Sequence, residues 1–205
     1  MDKILEYWFA DADRAPVTLD AMKGRLALWF GERPETDEHI RAHFGAELAA
    51  ARAGERSAWA ETPRGSLALV VVLDQFSRNA YRGTPEAFAS DAQSLAVMEA
   101  GIAAGFDRGL NVAQRVAYYL PLMHAEDRAS SDRCLALYLG LVDEAGASLQ
   151  PAMRLVKEAT ERHHRIVQKL GRYPHRNAVL GRASTPEEEA FMKTPDSSYQ
   201  PSQRA

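Results

Sequence analysis

The sequence predicts an all-α protein, a single-domain array of about nine antiparallel helices. Two observations point there. Apolar residues recur at helical spacing, as in Ile4, Leu5, Trp8 and Phe9 or Leu26, Trp29 and Phe30, while sustained alternation of apolar and polar residues is hard to find. Three Thr-Pro pairs, at 62–63, 84–85 and 185–186, each put a hydroxyl at an N-cap position and a proline at the first helical residue, where its missing N–H costs nothing.

The periodicity places helices over Asp2–Phe9, Leu19–Phe30, Asp37–Ala53, Pro63–Arg78, Pro85–Ala104, Val112–His124, Ser130–Ala145, Ala152–Leu170 and Pro186–Lys193. Glu188 completes a capping box for the last of them. Within the fourth, Val70-Val71-Val72 also suits a buried strand, but a lone strand has no partner and helix is the consistent choice. Pro121 removes an N–H from the sixth, which should kink or stop there. Gly171 should end the eighth, with Pro174 preventing its continuation. Short links make successive helices antiparallel. The helical domain is expected to span 1–193, and the tail 194–205, rich in Pro, Ser and Gln, to be loose or only partly docked.

Composition narrows the function. The 205 residues carry 25 Lys and Arg against 28 Asp and Glu, a formal charge of −3, with 46% hydrophobic and 26% charged residues, the balance of an ordinary globular chain. Net acidity argues against a whole-surface grip on nucleic acid. The longest apolar run, Leu67 to Leu73, is far short of a membrane span of roughly 20 residues. Asp2 and Glu6 stand where a signal peptide needs a basic start and an unbroken apolar stretch, so a cytoplasmic protein is expected. Cys134, the single cysteine, can form no intrachain disulfide, which fits a reducing compartment. No dinucleotide fingerprint, phosphate loop or nucleophile elbow is present, and no cofactor is called for. Oligomeric state is not legible.

Polarity breaks pattern in three places. Asp74-Gln75-Phe76-Ser77-Arg78-Asn79 closes the most apolar helix and leads through Arg82 to the next cap. Asp74 and Arg78, four apart, either make a helix-surface pair or are aimed into a shared pocket. The second is Met123-His124-Ala125-Glu126-Asp127, where His124 stands as a general acid or base with Glu126 or Asp127 fixing its tautomer, or simply closes a helix end. The third runs from Glu161 to Arg182, with six basic residues against one acid, a local charge of +5 in an acidic chain. His163 shares the stripe of Leu155, Ala159, Ile166 and Leu170 and should point inward. Beyond Gly171, the loop holding Arg172, His175, Arg176, Asn177 and Arg182 is dense in guanidinium groups, whose planar forks suit carboxylate or phosphate. The other use for these arginines is to bind acids of the same chain, with Asp74, Glu126 and Asp127 as candidates.

Metal ligation is weakly encoded. His39 and His43 are one turn apart, and Glu161-x-x-His164 has the spacing of a di-iron bundle without the second copy such bundles use, so no metal site is assigned.

Five segments, Ile4-Leu5-Glu6-Tyr7-Trp8-Phe9, Leu73-Asp74-Gln75-Phe76-Ser77-Arg78-Asn79, Arg82-Gly83-Thr84-Pro85, Leu120-Pro121-Leu122-Met123-His124-Ala125-Glu126-Asp127 and Gly171-Arg172-Tyr173-Pro174-His175-Arg176-Asn177, resemble those of the bacterial family numbered 924 among domains of unknown function. The resemblance runs from about Ile4 to Tyr199 and departs at Ala125, where the family usually has Ser, at Leu170, usually Phe, and near Ser131, commonly Gln. It implies an all-helical fold like that of the tetratricopeptide-repeat superfamily and supplies no activity. Ala125 leaves no hydroxyl beside His124, so no serine nucleophile is expected there.

The reading that follows is that the three polar segments converge on one pocket for a small anionic, phosphate- or carboxylate-bearing molecule. His124, Glu126 and Asp127 would supply any hydrolase or transferase chemistry. Asp74, Gln75, Arg78, Asn79, Arg82, His163, Arg172, His175, Arg176, Asn177 and Arg182 would line the pocket. The alternative is a tetratricopeptide-like scaffold that takes a peptide or protein partner in a groove.

Overall fold

A computed structural model describes residues 1–13 and 16–197, whose regular elements are all helices, with no strand among them. In chain order the helices are α1 (Asp2–Phe9), α2 (Leu19–Trp29), α3 (Pro34–Arg52), α4 (63–80), α5 (Asp91–Ala103), α6 (Val112–Tyr118), α7 (Leu120–His124), α8 (Arg128–Glu144), α9 (Gln150–Leu170) and α10 (Pro186–Met192). No helix among the described residues is long and apolar enough to cross a membrane.

The core is built around α4. Its Leu67 to Leu73 run and Phe76 are buried, and an apolar cluster joins them to Ile4, Leu5, Trp8 and Phe9 of α1, Ile40 and Leu48 of α3, and Tyr118 and Tyr138 of α6 and α8. A helix apolar on every face has to be covered on every face, which explains its central place. Helices α8 and α9 pack along their length, and α9 closes against α2. A second, smaller cluster ties Ile166 and Val167 of α9 to Tyr173 and Phe191.

The elements differ from the sequence expectation where local chemistry is subtle. Helix α4 is not regular: Pro63–Val70 continues through a π-helical turn, Val71–Phe76, into Ser77–Ala80. Thr62 caps it as expected, accepting from the Gly65 N–H at 3.1 Å. Thr84 does not cap a helix. Its hydroxyl donates to the Tyr81 carbonyl, Pro85–Phe88 forms a 3-10 turn, and the helix proper starts at Asp91. The expected Val112–His124 helix breaks at Tyr119, and Pro121 opens α7 instead of interrupting it. Helix α3 starts at Pro34, ahead of the expected Asp37. Gly171 ends α9 in the left-handed region, φ 74°, and Thr185 and Glu188 form the expected capping box on α10.

The stripe assigned to α9 needs correction. Met153, Val156, Thr160 and Val167 form its buried side, whereas Leu155 is 55% exposed and shares a different face with Ala159 and His163. Of the tail, Pro195–Ser197 forms a 3-10 turn whose Ser197 hydroxyl donates to the Thr194 carbonyl, and 198–205 lie outside the described residues.

Candidate functional site

The π turn of α4 buries Asp74 completely, and a carboxylate without water must find donors. It finds three. Arg78 Nη1 lies 3.1 Å from Oδ1, His124 Nδ1 2.8 Å from Oδ1, and Gln75 Nε2 2.5 Å from Oδ2. The surrounding donors and the Arg78 charge outweigh burial and hold the Asp74 carboxyl well below the usual range. Because a carboxylate only accepts, Nδ1 of His124 carries the proton and Nε2 is left as the basic nitrogen. Burial and the nearby Arg78 charge outweigh Asp74 and keep this imidazole neutral, with its pKa below the ordinary value.

This corrects the expected orienting group. Glu126 and Asp127 make no hydrogen bond to His124 among the described residues, although all three line one hollow. Glu126 accepts from Arg182 Nη1 at 2.5 Å and from the Tyr173 N–H at 2.7 Å, and Asp127 caps α8 by accepting from the Ser130 N–H at 2.8 Å. Both have structural posts, and the residue that fixes the imidazole comes from 50 positions earlier in the chain.

Asp91, which sequence reasoning missed, joins the two key arginines. Its carboxylate accepts from Arg78 Nη1 and Nη2 at 2.8 and 2.9 Å and lies 3.5 Å from Arg176 Nη1. Arg176 also donates from Nη1 to the His124 carbonyl at 3.0 Å, and its guanidinium sits 4.8 Å from the Phe88 ring and 4.6 Å from the Tyr173 ring. Its enclosed Nε–H meets no acceptor among the described residues. The cluster therefore holds two guanidiniums, two carboxylates and a neutral imidazole, and its formal charges balance.

The cluster borders a cavity of about 1030 Å³. Gln75, Arg78 and Asn79 reach it from the end of α4, Arg82 from the turn after it, His124 from α7, His163 from α9, and His175 and Arg176 from the loop after α9. His163 donates from Nδ1 to the Ala159 carbonyl at 2.7 Å, and burial pushes its pKa down to about 3. Asn79 and Arg82 line the wall but are held by Asp37 of α3, at 2.8 Å from Asn79 Nδ2 and 2.6 Å from Arg82 Nε. A smaller hollow of about 500 Å³ lies beside the first, with Phe88, His124 and Arg176 in the walls of both.

Four expected pocket residues lie in neither wall: Asp74, buried behind Arg78 and His124, and three residues of the loop after α9. Arg172 forks onto Glu188 of α10, at 2.5 and 2.8 Å. Asn177 donates to the same carboxylate at 3.1 Å. Arg182 bridges Glu126 and Asn177. Arg172 and Asn177 hold the 171–188 segment to itself, Arg182 ties it to Glu126, and the acids they hold are the chain's own. Sequence signals for Asp91 and Phe88 were faint, since an acid in a first helical turn and an aromatic after a proline have ordinary structural readings. Among the described residues no three His, Cys, Asp or Glu groups come close enough to hold one metal ion.

The profile of a bacterial family described as protein of unknown function, DUF924, matches residues 4–196. A solved structure, that of the protein of unknown function ATU0120 from Agrobacterium tumefaciens, superposes with a TM-score of 0.77 at 32% identity, over 94% of this chain and 96% of the other. No curated protein matches.

Proposed function

This chain belongs to that bacterial family, DUF924, and on that footing we propose that its larger cavity binds a small anionic molecule bearing a phosphate or a carboxylate. One observation carries the reading: guanidinium, amide and imidazole groups from four separate stretches, around Arg78, His124, His163 and Arg176, meet at a single hollow of ligand size. Intramolecular acceptors do not exhaust them. Among the described residues, Nε–H and one Nη2 N–H of Arg78, and both Nη2 N–H groups of Arg176, meet no acceptor.

The same geometry supplies proton transfer. His124, with Nδ1–H fixed on Asp74, offers Nε2 to take a proton from a water or hydroxyl as it attacks a phosphorus or carbonyl centre, and to return it to the leaving group. Asp74 is then a positioning residue. On this reading 1–193 works as one tetratricopeptide-like helical domain in the cytoplasm, with hydrolysis or group transfer as its reaction class.

Thermal unfolding in the presence of phosphorylated small molecules and organic acids tests the proposal. A ligand at a hundred times its Kd stabilises by about 2.7 kcal/mol, or roughly 5 to 10 °C for a domain of this size. The shift should vanish in Arg176→Ala, each variant being compared with its own unliganded Tm. No stabilisation by any anion, or one indifferent to that substitution, overturns it. The second reading, a groove for a peptide or protein partner, draws on Phe30 and Leu155, which are 42% and 55% exposed at the same cavity. An acidic peptide that stabilises where small anions do not would favour it.

A further inference from the structure

The cavity is not polar all round, and its asymmetry describes an occupant. The apolar part of its lining comes from Leu26 and Trp29 of α2 and Phe30 at that helix's C-cap, with Lys23 and Glu32 beside them, and from Leu155 and Ala159 of α9. Along α9 the lining runs from Leu155, Glu158 and Ala159 to Arg162 and His163, about 12 Å from end to end, so the large apolar side chain stands at one end and the cationic and imidazole groups at the other. The polar end coincides with the Arg78, His124 and Arg176 cluster, since His163 packs edge-on against Tyr173, 5.7 Å between ring centres, and Tyr173 stacks on Arg176. Phe30 and Leu155, two of the few large apolar side chains left exposed, both belong to this wall. Exposed apolar groups gathered at one cavity mark a binding surface.

We propose, building on the anion-binding reading, that the ligand is a monocarboxylate with an apolar body, an alkyl or aryl acid. Its head meets the free donors of Arg78 and Arg176, and its tail lies against α2 and the first half of α9. The charge balance at the head favours a monoanion over a dianion. Arg78 and Arg176 are already matched by Asp74 and Asp91, so the site offers unused N–H donors with no surplus of charge, and a phosphate dianion would bring two uncompensated charges into a partly desolvated place where a monocarboxylate brings one. A carboxylate accepts two such donors in one plane, as a guanidinium edge presents them.

Calorimetric titration of the full chain with straight-chain monocarboxylates from butanoate to decanoate, below their aggregation concentrations and at fixed ionic strength, tests this. Inorganic phosphate and 1-decanol serve as probes of head and tail. Each added methylene should tighten binding about fourfold until the cavity is filled. Leu155→Asp, at a position already exposed and safe for folding, should weaken decanoate at least tenfold and leave butanoate unchanged. Arg176→Ala should abolish binding of every acid. Affinity independent of chain length, phosphate binding as tightly as octanoate, decanol binding as tightly as decanoate, or Leu155→Asp without effect each overturns the inference. The first two leave the anion-binding reading standing, and failure of all anions to bind removes both.

Discussion

Substituting Asp74 by Asn tests the arrangement at its centre. The change is nearly isosteric, but the carboxylate it removes is fully buried and receives Arg78, His124 and Gln75 at 3.1, 2.8 and 2.5 Å. Removing one member of a buried charge pair costs about 3 to 5 kcal/mol, because the other is left uncompensated. Arg78 retains both contacts to Asp91, so the lower end, about 3 kcal/mol, applies, a fall in Tm of roughly 6 to 12 °C. Urea and thermal unfolding read it directly. The pH dependence supplies a second check. The folded-state pKa of Asp74 lies below its ordinary 3.8, so the stability it contributes is fully present above that value and is lost as pH falls through the folded pKa. The gap between wild type and Asp74→Asn should therefore be constant from pH 5 to 8 and narrow below about 3.8. Paired with His124→Gln, the double mutant should cost less than the two singles together by about 0.5 to 3 kcal/mol. Additive effects, or a variant within about 0.5 kcal/mol of wild type, would refute the dyad.

Three further outcomes are expected. Burial holds His163 neutral with a pKa near 3, against an ordinary 6.5, so the unfolded chain takes up a proton that the folded one refuses between those values. Stability present above 6.5 should fall with decreasing pH by about 1.4 kcal/mol per unit on this residue's account, and urea midpoints of His163→Gln should show a flatter profile. Gly101→Ala would place a Cβ 1.8 Å from the Tyr118 hydroxyl, which shares a 2.7 Å hydrogen bond with Ser66, so it should cost about 1 to 3 kcal/mol, partly recovered by adding Tyr118→Phe. Equal stability of the Gly101→Ala variant would mean that α5 and α6 are not packed this closely. Cys134 is 2% exposed and burial pushes its thiol well up, so an aromatic disulfide reagent should modify it only at the rate of global unfolding, and fast labelling of native protein would contradict its place in the core.

Helix positions were legible because they rest on local chemistry. The Thr62-Pro63 and Thr185-Pro186 caps, the 3.6-residue periodicity and Gly171 act within a turn of where they stand, and the helices begin or end there. Thr84-Pro85 carries the same signal and opens only a 3-10 turn, because the Thr84 hydroxyl is drawn back to Tyr81. The convergence of Arg78, His124, His163 and Arg176 was readable as residues out of pattern, but their partners were not. A sequence says that His124 needs a carboxylate, and proximity along the chain favours Glu126. Only the packing of α7 against the end of α4 puts Asp74 there instead and releases Glu126 to Arg182. The arginines of the 172–182 loop divide for the same reason. Arg172 and Arg182 meet Glu188 and Glu126, while Arg176, enclosed between Phe88 and Tyr173, faces the cavity.

The cavity is built from interrupted helices, and that explains how so many polar groups survive beside an apolar core. Each interruption exposes backbone carbonyls that need donors. Arg78 donates to the Asp74 carbonyl in the π turn at 3.0 Å, and Arg176 to the His124 carbonyl at the end of α7 at 3.0 Å. Each guanidinium thus spends Nη1 on a backbone carbonyl, Arg78 gives Nη2 to Asp91 as well, and both side chains still line the hollow. π turns occur often at functional sites, where a widened turn re-aims the side chains that follow it. Here it lies at the transition from Leu73, wholly in the core, to Gln75 and Arg78 at the cavity wall. Because these arginines are structural and ligand-facing at once, loss of stability on replacing them carries no information about binding. The discriminating measurement is the ligand-dependent increment, and Leu155, which touches the cavity without supporting the core, is the position where the two separate cleanly.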